Sequence, residues 1–537
     1  MSQSSDDAPT GPIRERARPA PAAPAAGGDR TRRSDVLGDL AAVVLLVVAA
    51  LLPWNLYFGV GVPGSSTAVF AALLAVTLLS VVSVAVAGSW RSPGAGWGRL
   101  RVALNAPYVL LVLAFVVFDI VETVRWGGTV NVPGGVGPGA WLGIAGALLA
   151  ARPPITAPAP ADQSLRPARI IGYASMAVAA LSFCFNLYWR VRYALQTPVG
   201  STDFGKQNIA VIATAVVYGV VALVAVLAAS GWLLRGTPAA RLATVALGAS
   251  ALAAGVIVWF LPAGRDIDAF HGIAQNTSTA GVGFEGYLAW AAAAAIFAPR
   301  ALFGHSDASV NDEDAWRGAA RNGLALIAIW GLGSAAMRIT DLVVAVSLNY
   351  PFSRYDSVVL AAFDVATAVL AIWLRLNLAS DRVPARLVTA LCGLVAALCV
   401  TRVVLGVALA PRFAASPSSP AQHPVYGNNL AQQISSTFDV TLCGVGLSIL
   451  AAAIVSGHLS GLRRRRRRRA ARARAAAGGR PRGRVQVGRA ASSGADMESP
   501  TTEIPQMAGS PRIFRGDDSA TRQIPVHKPK IYRPPQG

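Results

Sequence analysis

Lysine is almost missing from this 537-residue chain, standing only at Lys206, Lys528 and Lys530, so nearly all of its basic residues are arginine. Charge of either sign is scarce: 14% of residues, where soluble domains average about 25%. That deficit excludes an ordinary water-soluble domain. Cysteine is scarce too. Cys184, Cys392, Cys399 and Cys443 each lie in an apolar stretch with no CxxC spacing, which excludes a zinc ribbon and a disulfide framework. No HExxH occurs, and the five histidines are scattered. GSTDFGKQ at 200–207 comes close to a phosphate-binding loop, but Gln207 stands where a Ser or Thr hydroxyl is needed for the metal. Neither catalysis nor a metal or other cofactor is expected.

What the chain has instead is apolar residues, at 53%, and a mean hydropathy of +0.47. A hydrocarbon core about 30 Å thick is crossed by about 20 apolar residues in a helix. Twelve candidate segments follow: roughly 36–58, 67–88, 102–124, 136–151, 170–189, 209–234, 242–262, 283–299, 323–347, 357–379, 387–410 and 437–460. The fourth is short and Gly-rich, and the eighth carries Glu285 near its start. The expected fold class is therefore an all-α integral membrane protein of about twelve transmembrane helices. Its organisation reads as a disordered tail at 1–34, a polytopic domain at 35–462 and a basic, disordered tail at 463–537. The polar tail before the first apolar run differs from a cleavable signal peptide, so that run is expected to stay in the protein.

Arginine sets the orientation. Arg14, Arg16, Arg18, Arg30, Arg32 and Arg33 precede the first span. Alternate loops then carry Arg91, Arg99 and Arg101; Arg152, Arg166 and Arg169; Arg235 and Arg241; Arg317 and Arg321; Arg382 and Arg386. By the positive-inside rule these loops and both tails are cytoplasmic, in a plasma-membrane protein. Arg190 and Arg192 in WRVRY are exceptions that fit an aromatic belt with snorkelling guanidinium groups. The Ala, Val, Gly and Arg bias resembles the multi-pass membrane proteins of GC-rich actinobacteria, mycobacteria-like in composition. GSWRSPGAGWGRLR lacks the acidic-basic motif of major-facilitator transporters, and GVGVPGSS at 59–66 lacks the acid of membrane-embedded sugar transferases.

The last Arg before each odd-numbered span is Arg33, Arg101, Arg169, Arg241, Arg321 and Arg386, giving spacings of 68, 68, 72, 80 and 65 residues. One hairpin thus recurs six times. Several units open alike, with RPARI at 166–170, TPAARL at 237–242 and VPARL at 383–387. WNLYF at 54–58 matches FNLYW at 185–189, which reads as an interfacial aromatic anchor.

Ionisable groups inside the spans are the candidate site, since a charge at mid-bilayer costs several kcal/mol and needs a partner or a water-filled cavity. MRITD puts Arg338 and Asp341 on one face of the ninth span. Arg402 lies at similar depth in the eleventh. Phe363-Asp364-Val365 and Phe438-Asp439-Val440 repeat an FDV triplet, and Phe284-Glu285 matches it in the eighth. One reading pairs Arg338 with Asp341 or Asp364 and Arg402 with Asp439 to set helix register. The other has the arginines hold an anionic solute or lipid phosphate while the acids relay protons, as in a transporter or flippase. Two arginines against three aspartates leave no positive surplus, which favours the first. Asp119 and Glu122 fit an interfacial position.

In the tails, Arg463–Arg469 is a stop-transfer signal and a site for anionic lipid, worth about 1 kcal/mol per residue near the surface. Net charge of +21 held in tails and loops points to bilayer rather than nucleic acid. DDAPTGPI, ESPTTEIP and DDSATRQIP place an acid three residues before and Ile three residues after Thr10, Thr501 and Thr521. The acid resembles sites of bacterial Ser/Thr kinases, and the Ile resembles what forkhead-associated domains read beside phosphothreonine. These residues imply a non-enzymatic scaffold or regulated assembly factor with phosphorylated docking tails. The topology is testable with single cysteines at Ser5, Ser418 and Ser510 in a background free of native cysteine. An impermeant thiol reagent on intact cells should label only position 418; labelling at 510 without 418 would invert the assignment.

Overall fold

A computed structural model of the protein describes residues 28–54, 67–89, 95–126, 135–152, 165–195, 205–260, 283–303, 310–349, 354–378, 383–408 and 437–456. These residues form twelve helices in chain order. They are α1 (Gly28–Leu51), α2 (Thr67–Ser89), α3 (Ala95–Trp126), α4 (Pro138–Ala151), α5 (Leu165–Leu195) and α6 (Lys206–Arg235), then α7 (Pro238–Phe260), α8 (Phe284–Phe303), α9 (Val310–Ser347), α10 (Arg354–Asn377), α11 (Ala385–Ala408) and α12 (Thr437–Ala451). A π-helical turn, Ala452–Ser456, follows α12. Each expected span has its helix, and no β-strand occurs among the described residues. The protein is an all-α, multi-pass membrane protein.

The helices overrun the apolar windows at their Arg-rich ends. α1 begins at Gly28, inside the segment read as a tail, and α9 runs for 38 residues, roughly 57 Å at 1.5 Å per residue. Hydropathy reports only the part that meets hydrocarbon, whereas backbone hydrogen bonding carries the helix on through NDEDAWR at 311–317. The recurring Pro-Ala-Arg motif explains itself as a helix start. Gly236 closes α6 in the left-handed conformation, at φ 62°, then the Ala240 amide donates to Thr237 Oγ1 at 3.2 Å and Pro238 opens α7.

Consecutive helices pack as six pairs, α1 with α2 through α11 with α12, and a second order is laid over them. α4, α7, α8 and α12 occupy the centre. Twelve of the 14 residues of α4 are buried, and 67% of the apolar window of α7 is buried, against 22% for α2. Among the described residues, ten helices are long and apolar enough to cross a membrane by themselves; α4 and α8 are not among them. Both are enclosed by other helices, so neither needs a lipid-facing apolar surface. What they need is small residues, because no hydrophobic force draws helices together in lipid and contact comes from close packing. A Cβ on Gly146 of α4 would lie 2.9 Å from Leu46 Cγ and 3.2 Å from the Ala42 carbonyl of α1. Gly444 of α12 similarly admits Ser250 of α7, and Gly248 of α7 lies against the Trp290 backbone of α8. The aromatic core runs through the same helices: Trp141 stacks on Tyr287 at 4.5 Å, and Trp290 and Trp330 both abut Phe438.

Trp54 corrects the expected anchor role of WNLYF. It is 4% exposed, donates to the Ala49 carbonyl at 3.0 Å and packs on Tyr108 and Phe115; residues 55–58 lie outside the described residues. The second copy keeps the anchor character, with Tyr188 exposed, Arg192 donating to its hydroxyl at 3.3 Å and the Arg192 guanidinium 5.1 Å from the Trp189 ring. Close packing at the centre is testable. Gly146→Leu and Gly248→Leu should each destabilise the bundle by about 1–3 kcal/mol through overpacking, whereas Leu78→Ala, at a 64% exposed position, should change little. Midpoints of thermal aggregation in detergent would report both.

Candidate functional site

One stripe of α9 carries the polar centre of the bundle. Trp330, Ser334, Arg338 and Asp341 are spaced by four, four and three residues, so they share a helical face. Each of the first three reaches a different helix. Trp330 Nε1 donates to Asp439 Oδ1 of α12 at 2.5 Å, Ser334 Oγ accepts from Arg402 Nη2 of α11 at 2.6 Å, and Arg338 Nε donates to Asp364 Oδ2 of α10 at 2.8 Å. Arg402 completes the set. Its Nε meets Asp364 Oδ1, and its Nη1 lies 2.5 Å from Asp439 Oδ1. The result is an alternating chain, Arg338–Asp364–Arg402–Asp439, drawn from four helices.

The chain is buried and balanced. Side-chain exposures are 2% for Arg338, 0% for Asp364, 7% for Arg402 and 3% for Asp439. Two guanidinium groups face two carboxylates, so no net charge is buried within it. Only arginine serves here, because its planar fork presents separate donors to Asp364, Asp439 and Ser334 at once. Gly331 makes the approach possible: a Cβ there would sit 2.9 Å from the Asp364 carbonyl, so α9 and α10 come close enough for Arg338 to reach across. Asp439 lies in the first turn of α12, where the helix dipole also favours an anion.

The structure therefore joins the pairs expected from sequence and adds the bond between Arg402 and Asp364. Asp341 is 1% exposed and stands outside the chain; its electrostatic neighbours are Tyr218 of α6 and Arg338. Glu285 is separate as well. It sits half-buried in the first turn of α8, and its backbone carbonyl accepts from Ser175 Oγ at 2.8 Å. Asp119 is 2% exposed, covered by neighbouring helices, while Glu122 pairs with Arg125 at 3.7 Å. Thr10, Thr501, Thr521 and Arg463–Arg469 lie outside the described residues. No group of three potential metal ligands occurs among the described residues.

Two further networks escaped sequence reasoning. At the Arg-rich end of the first four helices, Arg101 donates to the last-turn Ala150 carbonyl of α4 at 2.8 Å and bridges Asp39 at 2.7 Å, while Arg152 bridges Asp35 at 3.5 Å. A guanidinium on the C-terminal carbonyls of a helix both caps it and opposes its dipole. In the second four helices, Trp290 Nε1 lies 3.2 Å from Ser230 Oγ, which lies 2.9 Å from Ser175 Oγ, so one proton direction runs from the indole to the Glu285 carbonyl. A signal for this threefold organisation did exist. GVGPGAWL at 135–142 aligns with GVGFEGYL at 281–288, so Glu285 in α8 corresponds to Asp439 in α12 and to Gly139 in α4.

A family model described as "Domain of unknown function (DUF7937)" matches residues 35–458. It spans most of the chain, which therefore belongs to that family. No curated protein and no solved structure matches the chain.

The alternating chain makes a graded prediction. Arg402→Ala and Asp364→Ala each break two bridges, so each should cost more folded protein than Arg338→Ala, which breaks one; leaving a buried charge unpaired typically costs about 3–5 kcal/mol. Exchanging the charges of Arg402 and Asp439 should not rescue the loss, since it sets an acid against Asp364. Yield of monodisperse protein from membranes measures the order, and equal yields for all variants would contradict it.

Proposed function

We propose that this member of the DUF7937 family is a non-enzymatic plasma-membrane scaffold, or regulated assembly factor, whose cytoplasmic tails carry phosphothreonine docking sites. The observation that carries the reading is the closed charge chain: each guanidinium in it is bonded to carboxylate, at side-chain exposures of 0–7%. Such a chain supports a fixed arrangement of α9–α12 and leaves no spare positive charge for an anionic solute. Buried ion pairs add little net stability, but they penalise every other register of the helices that share them. A rigid bundle between two long tails suits presentation rather than turnover.

The tails supply the recognition chemistry. Phosphate on Thr10, Thr501 or Thr521 adds nearly two negative charges and three acceptor oxygens. A basic pocket in a forkhead-associated domain would take the phosphate while the plus-three Ile fills an apolar one. The modifying enzyme would be a membrane-associated Ser/Thr kinase that reads the acid at minus three, and Arg463–Arg469 would hold the C-terminal tail against anionic lipid.

A second reading, a transporter or flippase, is favoured by one observation: five ionisable residues, Arg338, Asp341, Asp364, Arg402 and Asp439, lie inside the spans of a single four-helix group. Phosphopeptide mapping of growing cells addresses the scaffold reading directly. Thr10, Thr501 and Thr521 should be modified and Thr31, which lacks the acid, should not. A synthetic 515–528 peptide should bind a forkhead-associated domain only when phosphorylated, and Ile524→Ala should weaken binding without preventing phosphorylation. Unmodified threonines, or equal binding with and without phosphate, would remove the docking role.

A further inference from the structure

Asp341 is the acid that the charge chain leaves over. It lies one turn beyond Arg338 on the same face of α9 and is 1% exposed. Arg338 is committed to Asp364, and Arg402 to Asp364 and Asp439. Both carboxyl oxygens of Asp341 are buried, and the hydrogen-bonding group beside them is the Tyr218 hydroxyl. Two cations against three acids leave one negative charge in excess at this depth.

Among the described residues the groups that act on it are few, and the buried Arg190 of the neighbouring α5 is not one of them. On α9 itself the neighbour is Arg338, and on α6 it is the Tyr218 hydroxyl. The other ionisable side chains of α6, Lys206 and Arg235, stand at its two ends. α10 presents Asp364, already bonded, while α11 and α12 present Arg402 and Asp439, bonded to each other. The one ionisable residue of α7, Arg241, donates to the Gly236 carbonyl at the Arg-rich end. An uncompensated carboxylate inside a span costs several kcal/mol. Something exchangeable has to supply the missing positive charge.

We propose that Asp341 is the binding site for one exchangeable monovalent cation, a proton or a sodium ion, with the Tyr218 hydroxyl as a second oxygen ligand. Occupancy would also govern the neighbouring staple. When the cation leaves, the bare Asp341 carboxylate competes with Asp364 for Arg338, and the α9–α10 contact loosens. The site goes beyond the scaffold reading and stands or falls independently of it.

The test uses the full chain purified in detergent, with thermal unfolding followed at fixed ionic strength as choline is replaced by sodium, and separately across a pH series. Wild-type protein should be stabilised by sodium, or by lower pH if the cation is a proton, and Asp341→Asn should lose that response while Glu285→Gln keeps it. Asp341→Glu, which retains the charge, should keep it too. If Asp341→Asn does not accumulate, infrared spectroscopy of the wild type decides. In sodium-free buffer it must show a carboxylic-acid carbonyl band that shifts in heavy water and persists in Glu285→Gln. A wild type indifferent to sodium and without that band, or an Asp341→Asn variant that responds like wild type, would overturn the proposal.

Discussion

Arg402 holds two carboxylates from two different helices while lending a third donor to Ser334 of α9. Much of the second half of the molecule is arranged around that one guanidinium. In water each of these contacts would be worth a few tenths of a kcal/mol. Inside a bilayer the comparison is with a stranded ion, so the partners of each charge stop being optional. α10, α11 and α12 are thereby referred to a single stripe on α9. A slip of any one helix by a turn would leave an Arg or an Asp facing hydrocarbon. The chain buys specificity of arrangement more than net stability.

The remaining helices reach order by different means. In the first four, the close approach of α1 to α4 at Gly146 and the arginine cap on Ala150 fix the innermost helix. In the second four, an indole and two serine hydroxyls join α5, α6 and α8. Each run of four ends in a helix that packs inward: α4 and α8 against each other, and α12 against α7. Corresponding positions at their starts hold Gly139, Glu285 and Asp439, so equivalent places have been filled with backbone contact, a half-buried acid and a full ionic bond. A single inner-helix scaffold with divergent polar content accounts for all three better than six equal hairpins do.

The alternating ionic chain lies in α9–α12, with Tyr218 of α6 at its edge. The other eight helices supply apolar surface, small-residue contacts, aromatic residues and the arginine bridges to Asp35 and Asp39.

The number and order of the helices were legible from the sequence alone, because bilayer thickness imposes a length that any apolar run must meet and arginine marks the loops between. The ionisable residues of the site were legible for the same reason: charge inside a 20-residue apolar window is conspicuous. Their partners were not. Arg338 could have turned to Asp341, three residues along its own helix, and only the close approach of α9 and α10 at Gly331 gave it to Asp364. Nor did composition reveal that the two weakest spans, α4 and α8, lie at the centre. Hydropathy measures fitness for lipid, and a helix surrounded by protein is released from that requirement. Which helix lies inside is a property of packing among all twelve, and the tertiary structure alone decides it.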